Sequence, residues 1–184
     1  MLVSEVIRMS KIKRGILFIV ILAVFLVTSS VGMEYYVVHQ LNGEVTGRNR
    51  PFAALTVEPE DTLDLLVAGD SESYNSVSTM RLWDDKGITT YDCGQGAQRI
   101  PETYYMLKHA FKKQSPKIVI LETNTLFRDI GAVKSTQEIL TQAGQYYLPV
   151  FRYHNLWKTV VDEPEMHTNY KGFVIRDEVD PYEG

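Results

Sequence analysis

From Ile16 to Val27 the chain reads ILFIVILAVFLV, twelve apolar residues without a break, and milder residues carry the stretch from Gly15 to about Met33. Roughly twenty residues of helix cross a bilayer, so residues 15–33 are expected to form one transmembrane helix. Arg8, Lys11, Lys13 and Arg14 stand just before the run against a single Glu5, a local balance of +3, whereas Glu34 follows it with no Lys or Arg nearby. That asymmetry places residues 1–14 in the cytoplasm and the body outside it. The small residues Ser30-Val31-Gly32 would also suit a signal-peptide cleavage site. An uncleaved anchor is favoured, and either way the body faces the same side.

The rest of the 184 residues is enough for one compact domain and short for two. The formal charge of -4 becomes -7 once the basic N-terminus is set aside. An acidic body lacks the clustered basic surface that phosphate backbones require, so no nucleic-acid partner is expected. Cys93 is the sole cysteine, which excludes an internal disulfide and any multi-cysteine metal centre. No cofactor is expected.

Residues 34–61 mix aromatics with Asn-Gly and Pro-rich turns and read as a stalk or lead-in over the domain surface. The domain proper is expected over 62–184. Leu63–Ala68 is a short apolar run ending at Gly69, and Tyr74, Val77, Met80, Leu82 and Trp83 then recur at helical spacing. Ile88–Cys93 reads as a second strand ended by Gly94 and Gly96. A helix is predicted from Pro101, with Ile100, Tyr104, Leu107 and Phe111 on its apolar side. Lys117–Leu121 is nearly continuous in apolar residues, as in a strand buried on both faces of a parallel sheet. Val133–Ala143 and Phe151–Val161 carry weaker helical signals. Alternating strands and helices indicate an α/β fold.

Ligands of open parallel sheets bind beyond the carboxyl ends of the strands. Three polar turns occupy those ends: Gly69-Asp70-Ser71-Glu72, Gly94-Gln95-Gly96 and Glu122-Thr123-Asn124-Thr125. A serine on such a turn can act as a nucleophile, while turn N–H groups and a carboxamide can hold an oxyanion. The same residue types also serve plainly as turn formers and helix caps.

Over about residues 63–128 these turns resemble the first three blocks of SGNH/GDSL hydrolases. With Leu63–Val67 and Phe151-Arg152-Tyr153-His154-Asn155-Leu156-Trp157, the resemblance narrows to membrane-anchored relatives of the D-alanyl transfer protein of teichoic acid operons. It implies a three-layer, flavodoxin-like parallel sheet, expected to be incomplete here. It also implies a cell-envelope esterase or acyltransferase acting on glycopolymer O-acylation, beside a multipass membrane O-acyltransferase. On that resemblance Ser71 matches the nucleophile, Gly96 (or Gly94) the second oxyanion donor and Asn124 the third. Asp70, Gly94 and His154 are further site-lining candidates. Asp92 and Ala97 depart from the usual second block.

The family's base is a C-terminal histidine with an aspartate three residues earlier. None of His39, His109, His154 and His167 has that aspartate. Truncation before the base is therefore expected, with an inactive or truncated envelope scaffold for the O-acyltransferase as the alternative. A sensor or adhesion module has no motif behind it. His109, beside Lys108 and Lys112, reads as solvated, and His39 as a surface residue. His154 reads as a satisfied core residue or a rim residue. A metal set of His154, Asp162, Glu163, Glu165 and His167 lacks regular spacing, so no metal is expected.

Overall fold

The computed structural model describes residues 10–128 and 130–156. Helix α1 spans Lys11–His39, six residues beyond the expected end at 33. Its 29 residues extend about 43 Å, more than the hydrocarbon core of a bilayer requires. By length and composition it can cross a membrane. Ile16, Phe18, Ile19, Phe25 and Val31 are all exposed on it. Among the described residues its C-terminal turns meet the body: Ser30 and Val37 are buried, and the Val150 N–H donates to Ser30 Oγ (3.3 Å).

Residues 34–61, expected as a stalk or lead-in over the domain surface, include a helix that packs into the core. After a tight turn at Asn42-Gly43, a 3-10 turn at Gly47–Asn49 leads into helix α2, Arg50–Val57, with Pro51 in its first turn. Gly43 has φ +75°, and a Cβ there would stand 2.8 Å from the Ala53 carbonyl oxygen and from Val57 Cγ2, so the turn is closed against α2. Phe52, Ala53 and Leu55 on α2 are buried. Phe52 and Leu55 find cover over β1, and Ala53 against Val37, Val45 and Tyr153.

The remaining elements are β1 (Leu65–Ala68), α3 (Ser71–Ser76), α4 (Thr79–Lys86), β2 (Thr90–Asp92), α5 (Ile100–Ala110), β3 (Ile118–Leu121), a 3-10 turn at Asn124–Phe127, α6 (Ala132–Tyr147) and α7 (Pro149–Arg152). The strands form a parallel sheet in the order β2-β1-β3, with Leu66 opposite Tyr91 on one side and Val119 on the other. The single helix expected from Tyr74 through Trp83 is two helices. Val77 adopts an extended conformation (φ -116°, ψ 110°), and Ser78 caps α4 by accepting from the Arg81 N–H.

One core joins Phe52 and Leu55 of α2 to Leu66 and Ala68 of β1, Cys93, and Met106 and Ala110 of α5. A second, of Val37, Val45, Ala53 and Tyr153 with Met33, Leu41 and Leu156 against it, ties α1 to the lead-in and the end of α7. Two expectations fail here. Strand β3 is not buried on both faces, since all four of its residues are exposed; among the described residues it stands at the edge of the sheet, and α6 packs mainly on α5 and α7. His109 is not solvated: it is buried, stacked on Phe52 at 3.9 Å, with Nε2 2.9 Å from Thr56 Oγ1. The last part of the amphipathic stretch expected at Phe151–Val161 lies outside the described residues.

Candidate functional site

The order β2-β1-β3 reverses direction at β1, so the loops after β1 and β3 leave the sheet side by side, where ligands enter folds of this kind. Asp70, the first residue beyond Gly69, is fully buried between them. Its Oδ1 accepts the Glu72 N–H (2.9 Å), capping α3. Its Oδ2 accepts the Asn124 amide (3.1 Å) and the Arg128 guanidinium. Glu122 closes the same junction, with one carboxylate oxygen accepting the Asn124 N–H and its Cβ lying where a Gly69 side chain would need to be, 2.4 Å away. These donors hold the Asp70 carboxyl below its usual range, the Glu72 N–H foremost, against the cost of burial.

Ser71 follows as the first residue of α3 and is partly exposed. Among the described residues nothing hydrogen-bonds its hydroxyl. As the opening residue of a helix it also has a backbone N–H without an intrahelical acceptor. The loop after β2 lies against this turn: the Gln95 N–H donates to the Gly69 carbonyl (3.3 Å), and Gly96 faces the Tyr74 hydroxyl, 3.8 Å from where its Cβ would be. The N–H of Gly96 is uncommitted among the described residues. Its carbonyl is held by Arg48, whose Nη1 donates to it (2.7 Å) while Nε donates to Glu102 (2.8 Å).

Gly94 differs from Gly96. Its N–H donates to Asp92 Oδ1 (2.7 Å), so it is not free to meet an oxyanion. A Cβ on Gly94 would stand 1.8 Å from Ser73 Oγ, so the glycine lets the β2 loop and α3 touch. Ser73 is buried and donates toward the Asp70 carbonyl (2.9 Å), with Asp92 Oδ1 at 3.2 Å. Burial pushes the Asp92 carboxyl up, opposed by the Gly94 N–H and the Ser73 hydroxyl. Asp92 Oδ2 is buried and lacks a partner among the described residues.

The six candidates therefore separate. Asp70, Ser71, Gly94, Gly96 and Asn124 converge on one end of the sheet. Asn124 spends one amide hydrogen on Asp70 and retains a second. His154 lies beyond α7, exposed, with Nδ1 donating to the Phe151 carbonyl (2.8 Å). His39 stacks on Tyr35 at the end of α1. No described histidine hydrogen-bonds Ser71. Of the metal set, all but His154 lie outside the described residues, and no group of three or more metal-ligating side chains occurs among those described.

Arg128, Arg48 and Glu102 escape sequence reasoning. Arg128 reaches a partner 58 residues away from an irregular segment, and no periodicity announces such a contact. Comparison with family models, curated proteins and solved structures finds no match.

Proposed function

We propose that the chain is a membrane-anchored, extracytoplasmic SGNH-like protein with a flavodoxin-like three-layer sheet, and that Ser71 is an acyl-accepting nucleophile in esterase or O-acyltransferase chemistry on a cell-envelope glycopolymer. One observation carries the reading. Ser71 opens a helix just past the carboxyl end of the central strand, with its hydroxyl unbound and the uncommitted N–H of Gly96 on the adjoining loop.

In that chemistry Ser71 Oγ attacks an acyl carbonyl and loses its proton, the Oγ–C bond forms, and the carbonyl oxygen takes the negative charge. The N–H groups of Ser71 and Gly96 supply donors for that oxygen, and the second Asn124 amide hydrogen can add a third. Collapse expels the alcohol of the donor ester. Water then gives hydrolysis, or a glycopolymer hydroxyl gives transfer. The base that takes the Ser71 proton comes from outside residues 10–128 and 130–156, either from another part of the protein or from a partner.

No histidine among the described residues meets Ser71, and Asn124 is already engaged by Asp70, which favours a second reading: a scaffold that recruits a multipass membrane O-acyltransferase. Deletion of the gene in the cell that carries it, followed by measurement of ester-linked acyl groups on the envelope polymer, separates the two. Loss of acylation restored by wild type but not by Ser71→Ala supports catalysis. Restoration by both supports the scaffold, and no loss on deletion contradicts either.

A further inference from the structure

A cavity of about 340 Å³ lies between the end of α1, α2, α5 and the α6–α7 corner, remote from Ser71 in its lining. Glu34, Lys108, Lys112, Tyr147 and Arg152 bring polar groups to its wall. Three cations against one carboxylate leave it positive. The largest anomaly is Arg152. Arg152 is only 5% exposed, yet it makes no ion pair among the described residues, and Glu102 and Glu34 act on it only as more distant charges. Its guanidinium carbon sits 3.5 Å from the centre of the Phe52 ring, and its Nε has no hydrogen-bond partner. A buried, unpaired guanidinium is costly unless something of opposite charge reaches it.

The neighbours are arranged to admit such a group. Lys108 Nζ donates to the Tyr147 hydroxyl (3.0 Å), and Lys112 Nζ lies 4.7 Å above the Tyr146 ring. Among the described residues both ammonium groups are held by aromatic rings and not by carboxylates, so their charge is available. His109 on the same wall is kept neutral, its pKa lowered to about 3 chiefly by burial, and so adds no charge.

The position is also informative. Ser30 of α1 touches α7, and Glu34, one helical turn further on, lines the cavity. One turn is about 5.4 Å, comparable with the headgroup layer outside the hydrocarbon core. Tyr35, Tyr36, Tyr147 and Phe151 are exposed on these elements, as aromatic side chains at a membrane interface are. This placement rests on reading α1 as an anchor, whereas the chemistry of the cavity does not.

We propose that this cavity binds a phosphate group, with Arg152 at its floor and Lys108 and Lys112 at its mouth. Arginine presents a planar fork that matches two phosphate oxygens, and the lysines supply further charge. A phospholipid headgroup and a free phosphate share this chemistry.

The test uses the full chain, delipidated in an uncharged detergent and titrated at constant ionic strength with inorganic phosphate and, separately, with short-chain phosphatidylglycerol, while thermal unfolding is followed. A saturable rise in Tm is expected, with the midpoint shifted at least fivefold upward in Lys112→Gln and Lys108→Gln and the response abolished in Arg152→Gln. Arg152→Gln can lower stability by itself, so the two lysine variants decide. Saturation by the lipid at one-tenth or less of the phosphate concentration assigns the site to a headgroup, and equal or weaker lipid response assigns it to free phosphate. No saturable response to either probe, or one that both lysine variants leave unchanged, overturns the proposal. Because nothing in this titration depends on Ser71, its failure leaves the acyl-transfer reading untouched.

Discussion

Arg128 reaches across the top of the sheet to the fully buried carboxylate of Asp70, joining the turn after β1 to the segment after β3. Asp70 therefore organises the site without having to take part in its chemistry. Arg128→Ala leaves that carboxylate buried with only the Asn124 and Glu72 donors, and is expected to destabilise the fold by about 3 kcal/mol in urea unfolding, at the low end for a broken buried pair because Arg128 is partly exposed.

The same residue sets an acid limit. Asp70 has a folded pKa below its ordinary 3.8, so its contribution is present above that value and disappears as pH falls through the lower folded value. Asp64 behaves alike, held at about 2 by Lys117 and Thr89. Wild type should lose stability steeply below pH 3.8, and Asp70→Asn should flatten that slope while lowering stability at pH 7. Unfolding midpoints from pH 2.5 to 7 check both.

Gly94 and Gly96 are two residues apart and should differ sharply in their tolerance of a methyl group. Gly94→Ala places Cβ 1.8 Å from Ser73 Oγ and 3.1 Å from the Asp70 carbonyl oxygen, and should cost about 3 kcal/mol in denaturant unfolding. Gly96→Ala meets nothing nearer than 3.8 Å and should change stability by less than about 0.5 kcal/mol.

Cys93 is buried and its thiol is pushed up to about 12, mainly by burial, so it should stay unlabelled by a membrane-impermeant maleimide in the native protein. Glu60→Cys creates an exposed thiol on the body. On the anchor reading, intact cells should label Glu60→Cys and leave wild type blank. Labelling of that variant only after cell rupture would reverse the orientation.

Much of the α/β body was legible because short apolar runs such as Leu63–Ala68 and Lys117–Leu121 end at polar turns, and those turns coincide with the strand ends found here. The break at Val77 was not legible, since Tyr74 and Leu82 keep helical spacing across it and only the Ser78 cap decides against one helix. Phe52 and Leu55 were hidden among turn residues, so α2 looked like surface. β3 misled in the opposite direction: Ile118–Leu121 is as apolar as a central strand, yet among the described residues the sheet gives it one neighbour. In the site, the serine and glycine turns could be read locally. The role of Asn124 could not, because its amide answers to Asp70, 54 residues earlier.

The nucleophilic role of Ser71 is tested by reaction of the intact membrane-embedded protein with a fluorophosphonate, followed by mass spectrometry of the adducted peptides. A single covalent adduct on Ser71, absent in Ser71→Ala and after unfolding, is the predicted result. Equal modification of wild type and Ser71→Ala, or none in either, would contradict a nucleophilic role for this serine.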